Sequence, residues 1–221
     1  MSSSQNENPP VVSRYTSAAR MNHWVTAVSL ILLAISGMAL FVPMLFPLTG
    51  LFGGGSLTRE IHPWIGVVLF VSFSGLFLRF WKLNLWNSDD TAWMKNVGAV
   101  VKGDEEGVPE IGKYNAGQKL VFWGMSLLII ALITSGVLIW DKYFFNLTTI
   151  DQKRIAVLVH AVAAVGAISI WIVHMYAAIW VRGTISAMTK GSVTAGWAYR
   201  HHRKWLRQEA KKDSTGTHPA E

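Results

Sequence analysis

No cysteine occurs anywhere in the 221 residues. That absence excludes disulfides, thiolate-bound metal clusters and the C-x-x-C-H attachment of c-type haem. Any metal bound here must therefore use histidine or oxygen ligands. Charge is missing too, and in blocks. Trp24–Phe46, Leu120–Trp140 and Ile155–Val181 contain no Lys, Arg, Asp or Glu, and Ile61–Trp81 contains only Arg79. Such runs are not the amphipathic stripes of a soluble helical domain. At about 1.5 Å per residue each is long enough to cross a hydrocarbon core of roughly 30 Å, so four transmembrane helices are expected. The first run exceeds the usual signal-peptide length, lacks an A-x-A-like site at its end and follows some twenty polar residues, so it is expected to stay in the mature protein.

Acidic residues are fewer than basic ones, giving a formal charge of +7. No nucleic-acid-binding motif accompanies this excess, and acids at Asp89, Asp90, Asp104, Glu105 and Glu106 lie among the basic residues, so nucleic acid is not expected as a partner. The charge reads as topology. With four crossings both termini and the segment after the second helix share one side. That side carries Arg14, Arg20, Arg79, Lys82, Lys95, Lys102, Lys113, Lys119 and eight residues from Arg182 to Lys212, against Arg59, Lys142, Lys153 and Arg154 opposite. An excess of sixteen to four places both termini in the cytoplasm. The basic tail "RHHRKWLRQEAKK" suits contact with anionic lipid.

The expected fold is thus an all-α membrane protein, a bundle of four transmembrane helices. Residues 1–19 form an N-terminal cytoplasmic segment, 20–183 the membrane domain and 184–221 a basic cytoplasmic tail. The N-terminal segment, rich in Ser, Asn and Pro, is expected to be mobile until it nears the membrane. "LTGLFGGGSLTRE" reads as a turn, with Pro63 near the first turn of the second helix, where its missing N–H is harmless. The 83–117 loop is long enough to fold over the cytoplasmic mouth or meet a partner. "IWDKYFF" ends the third helix in an aromatic belt. The tail, with Trp197 and Trp205, reads equally as a surface-lying helix or as disorder. Arg79 and Lys119 read as snorkelling interfacial charges, and His201, His202 and His218 as solvated.

Histidine is what these apolar runs do contain. His160 and His174 are fourteen residues apart; fourteen steps of about 100° bring both rings to nearly one face, about 21 Å apart along the axis. With the topology above, His23 starts the first helix at the inner side and His62 starts the second at the outer side. His23 can then meet His174, and His62 can meet His160. Two bis-histidine sites at two depths, with nothing else strongly polar beside them, suit iron porphyrin held by two axial imidazoles. Zinc fits less well, because it normally wants three or four protein ligands. Each histidine also has a plainer reading, as an interhelical hydrogen-bonder or an interfacial solvated group. Gly37, fourteen residues after His23, would either let a porphyrin approach the backbone or serve as a small-residue helix contact. An S-G step recurs in "LAISGMAL" and "LITSGVLI".

The stretches "RYTSAARMNHW", "EIHPWIGVVLF", "KYNAGQKLVFW", "VLVHAVAAV" and "IVHMYAAIWVRGTISAM" resemble, in order and spacing, the gamma subunits of respiratory formate dehydrogenases, the cytochrome b556 subunits. The resemblance covers about residues 13–205. It implies a di-haem cytochrome b of the bacterial cytoplasmic (inner) membrane, with two haems b. Such a subunit anchors a molybdenum- or tungsten-pterin alpha subunit through an iron–sulfur beta subunit and does not itself act on formate. By position, His62 and His160 match the ligands of the outer haem iron, His23 and His174 those of the inner one. In the family a quinone, menaquinone or ubiquinone, binds on the cytoplasmic side near a Y-N-x-G-Q stretch. Tyr114-Asn115-Ala116-Gly117-Gln118 retains it, and Asn115 and Gly117 are assigned to that site. Read alone, Asn115 is a helix N-cap. Electrons would pass from the iron–sulfur partner through the outer and then the inner haem to quinone. Rival readings keep the haems in another quinone-linked complex, such as a hydrogenase, or make the chain a haem-free anchor or transporter. A transporter would more usually show intramembrane acids or broken helices.

Overall fold

Among the described residues four helices are long and apolar enough to cross a membrane, and they fall on the four apolar runs. The structure, a computed structural model, describes residues 9–103 and 109–215. In chain order the elements are β1 (Val11–Ser13), α1 (Ser17–Phe41), a 3-10 helix (Pro43–Phe52), α2 (Gly55–Phe80), a second 3-10 turn (Trp81–Asn84), α3 (Ser88–Lys95) and α4 (Val97–Lys102). They continue as α5 (Ala116–Ile139), α6 (Asp141–Phe144), α7 (Ile150–Trp180), α8 (Thr184–Thr189), β2 (Ser192–Thr194), α9 (Ala195–His201) and α10 (Arg203–Thr215). The chain separates into two compact units.

The first unit, residues 21–81 and 121–175, holds the body of the four long helices. Leu30 of α1, Leu69 of α2 and Ile129 of α5 are buried together, and Trp171 of α7 packs on them with Leu33, Phe73 and Met125. Lipid tails are as apolar as leucine, so this contact gains little from the hydrophobic effect; close packing and interhelical hydrogen bonds must hold it. Both are present. Thr26 Oγ1 lies 3.0 Å from Ser72 Oγ between α1 and α2. A Cβ on Gly75 would fall 2.8 Å from Asn22 Nδ2, and one on Gly124 2.8 Å from Ile170 Cδ1. The outward faces carry Val28, Val71, Leu127, Val162 and Ile172 exposed, as lipid contact requires. Trp64, Trp140 and Tyr143 form a cluster with centroids 5.0–5.8 Å apart, where an aromatic belt was expected.

Pro63 lies inside α2 rather than near its first turn. The helix α2 begins at Gly55 and runs through Pro63. Hydropathy marks where lipid begins, not where the backbone turns helical. The polar start "GSLTRE" is held by buried Thr58, whose hydroxyl donates to the Gly54 carbonyl at 2.8 Å.

The second unit comprises residues 1–20, 82–120 and 176–221, within the described range. The N-terminal segment is ordered from β1, which pairs antiparallel with β2 (Val11 opposite Thr194). Gly191 permits the join: φ is +83°, and a Cβ there would come 2.8 Å from the Tyr15 carbonyl oxygen, so only glycine suits the position. Over its described residues the tail folds into α8, β2, α9 and α10. Trp197 and Trp205 are buried, and Lys204–Asp89 and Arg207–Glu110 tie α10 to the segment before α5.

Two other expectations fail here. Lys119 does not snorkel. It stands in the first turn of α5 and is buried, donating to Asp90 Oδ2 at 2.7 Å and to the Leu85 carbonyl at 2.9 Å. His202 is not solvated but 2 % exposed. Its Nδ1–H donates to the Gly112 carbonyl at 2.8 Å, Nε2 faces an Arg14 guanidinium nitrogen at 3.5 Å, and Trp197 lies against the ring at 5.0 Å. His218 lies outside the described residues.

Burial first, then Arg14, pushes His202 down to about 3, with His201 adding to the effect. A free histidine titrates near 6.5. The unfolded chain therefore takes up a proton that the folded one refuses, and stability present above about pH 6.5 is lost as pH falls towards 3. Melting of the detergent-solubilised protein should fall more steeply between pH 7.5 and 5 in the wild type than in His202→Gln; equal slopes would contradict this.

Candidate functional site

Each site histidine is delivered by a membrane helix: His23 by α1, His62 by α2, His160 and His174 by α7. The structure brings His62 to His160 and His23 to His174, with ring centroids 6.3 Å apart in both pairs. The rings are inclined at 53° in the His23 pair and 64° in the other. His23, His62 and His160 are partly buried, while His174 is exposed on the chain taken alone. Between the two depths lies the apolar Leu30–Leu69–Ile129 cluster.

At 6.3 Å two imidazoles are too far apart to hydrogen-bond, but they span a metal. Two metal–imidazole bonds of about 2 Å each, plus the half-width of each ring, add to about 6 Å. Among the described residues no group of three or more His, Asp or Glu could hold a metal. Each pair therefore supplies two ligands and no more, and the remaining positions must come from the bound group itself. An iron porphyrin meets that condition, and the residues fit it.

Two serines not singled out in sequence complete the His62/His160 site. Ser36 Oγ lies 2.8 Å from His62 Nδ1, and Ser135 Oγ 3.0 Å from His160 Nδ1. The glycine after each serine lies against the same ring. A Cβ on Gly37 would sit 3.3 Å from His62 Cε1, and one on Gly136 3.5 Å from His160 Cε1. Gly37 thus makes room for an imidazole on the neighbouring helix. The repeated S-G step was the sequence signal for this arrangement. His23 differs: its Nδ1 is buried and has no hydrogen-bond partner among the described residues.

Asn115 and Gly117 belong to the second unit. Asn115 Oδ1 accepts from the Gln118 N–H at 2.8 Å, and Gln118 Oε1 accepts from the Asn115 N–H at 3.0 Å. This reciprocal capping box satisfies free donors at the start of α5. It commits Asn115 Oδ1. Gly117 fits against Trp93, whose Cη2 lies 3.4 Å from where a Cβ would be.

Residues 14–191 match the family described as prokaryotic cytochrome b561. The cytochrome b556(fdo) subunit of formate dehydrogenase from Escherichia coli (strain K12) is 44% identical over 200 residues, covering 90% of this chain and 94% of that protein. The nitrate-inducible cytochrome b556(Fdn) subunit of the same strain is 39% identical over 199 residues, covering 88% and 92%. The formate dehydrogenase cytochrome b556 subunit of Haemophilus influenzae (strain ATCC 51907 / DSM 11121 / KW20 / Rd) is 36% identical over 209 residues, covering 95% and 88%.

Proposed function

The chain belongs to the prokaryotic cytochrome b561 family, and from that premise we propose that it is the di-haem membrane subunit of a formate dehydrogenase, carrying electrons from an iron–sulfur partner to quinone. The observation that carries this reading is the pair of opposed imidazoles, repeated with the same 6.3 Å separation at two depths about 21 Å apart along α7. His62 and His160 hold one haem b iron, His23 and His174 the other. Bound haem b supplies a one-electron carrier whose potential is tuned by axial ligand, burial and hydrogen bonds.

The protein's own part is to position and insulate. The Leu30–Leu69–Ile129 cluster keeps water from the space between the two sites. The excess of basic residues on the side of the termini orients the chain in the bacterial inner membrane with both termini in the cytoplasm. The His62/His160 site then faces the outer partner. Quinone, menaquinone or ubiquinone, is taken on the cytoplasmic side by the segment around Asn115. With Oδ1 committed to the cap, the Asn115 Nδ2 amide donates to a quinone carbonyl, and Gly117 leaves the helix entrance free of a side chain. Reduction of quinone there takes up protons from the cytoplasm. Formate itself is oxidised by a molybdenum- or tungsten-pterin partner, so this subunit anchors and conducts.

Purification of the intact complex tests the reading. A reduced-minus-oxidised spectrum should show b-type bands, and haem extraction should return two haems per chain, with iron–sulfur and pterin subunits in the same fraction. Absence of b-type bands would sink the haem assignment, and recovery with hydrogenase subunits would move the chain to another quinone-linked complex.

A further inference from the structure

We infer that Ser36 and Ser135 are positioning residues that fix the tautomer of His62 and His160 and strengthen both rings as iron ligands. This inference rests on the di-haem reading above.

A serine hydroxyl has one proton. In Ser36 it lies against the Leu32 carbonyl at 2.7 Å and the Leu33 carbonyl at 3.3 Å. In Ser135 it lies against the Ala131 carbonyl at 2.6 Å and the Leu132 carbonyl at 3.3 Å. Carbonyls only accept, so in both serines the proton is drawn back into the helix that bears it. Each Oγ then offers its histidine nothing but lone pairs. Nδ1 of His62 and of His160 must carry the hydrogen and donate it to the serine, at 2.8 and 3.0 Å. With Nδ1 protonated, the lone pair is on Nε2, the nitrogen left free to bind iron.

Both serines are fully enclosed, at 0% and 2% exposure, so water does not compete for the bond. The adjacent glycines let helix and ring come close enough to form it. Donation from Nδ1–H to an outer acceptor fixes ring orientation and raises the basicity of the ligating nitrogen. A more basic axial ligand favours ferric over ferrous iron. The His23/His174 site has no such support at His23, whose Nδ1 meets no partner among the described residues. The serines thus act on one site alone and lower its potential, the direction that favours electrons leaving it for the other.

The test uses the intact complex carrying Ser36→Ala, Ser135→Ala, both together, and Ser36→Thr with Ser135→Thr, which retain a hydroxyl. Redox titration of the b-type bands and haem content are the readouts. The expected result is that one of two titrating components moves to higher potential in each alanine variant and further in the double. Loss of tenfold in ferric-over-ferrous preference corresponds to about 59 mV for a one-electron couple. The other component stays in place, and the threonine variants titrate near the wild type. Two haems that both titrate unchanged in the double alanine variant overturn the inference while leaving the di-haem reading intact. So does equal haem loss in alanine and threonine variants, which would mean packing alone. A wild-type complex with fewer than two haems overturns the underlying reading instead.

Discussion

On the di-haem proposal, replacing His160 with alanine should leave the intact complex with one haem per chain in place of two and lower formate-driven quinone reduction by at least ~100-fold, the upper end of what loss of an outer-shell partner costs. The reason is geometric. His62 retains a ring and a serine partner, but nothing else among the described residues stands opposite it at 6.3 Å. A haem iron held there would lose half of the protein's ligands, and the proposed electron path would gain a gap on the order of the 21 Å that separates the two levels of α7. His174→Ala should remove the other haem. A double variant should be colourless. Haem extraction and quinone reduction by the purified complex measure both effects. Wild-type turnover by His160→Ala would discard the path.

Asp90→Ala should destabilise the second unit by about 3–5 kcal/mol, because it leaves Lys119 buried and unpaired. Side-chain exposures of 4% and 2% allow water to solvate neither charge. Asp90 Oδ2 also accepts from the Asn87 N–H at 2.7 Å, and Asn87 Oδ1 accepts from the Asp90 N–H. Truncation therefore breaks the capping box of α3 as well, which adds about 1 kcal/mol. Lys119→Met combined with Asp90→Asn should recover most of the loss, since no unpaired charge is then buried. Thermal melting in detergent of the wild type, Asp90→Asn, Lys119→Met and the double variant isolates the pair's coupling. A single-variant loss below about 1 kcal/mol would place the pair in water rather than in the interior.

The parts of this molecule that were legible in sequence are those governed by local rules. An uncharged run announces a crossing because lipid admits no alternative, and fourteen residues on a helix bring His160 and His174 onto one face whatever the neighbours are. Partner choice followed from an alternating up-and-down path, which is why His23 meets His174 and His62 meets His160. What escaped depends on distant contacts. His202 is buried by Gly112 and Arg14, ninety and 188 residues away, and its own neighbourhood, basic and polar, gives no hint of this. Lys119 has the sequence context of an interfacial lysine; only the fold brings Asp90 to it. Pro63 lies deeper in α2 than hydropathy suggests, because the polar residues before it are already helical. Ser36 and Ser135 were visible as a repeated dipeptide, but a hydroxyl that can bond its own backbone points to a ring only when the facing helix is known.

Both histidine pairs share a construction that bears on biogenesis. One partner comes early in the chain, from α1 or α2, and the other from α7, the last crossing. Neither pair can come together until α7 has been synthesised. On the di-haem proposal, each haem would gain its second imidazole only once α7 has been made, so a nascent subunit that stalls before α7 would offer a tetrapyrrole one protein ligand per site in place of two.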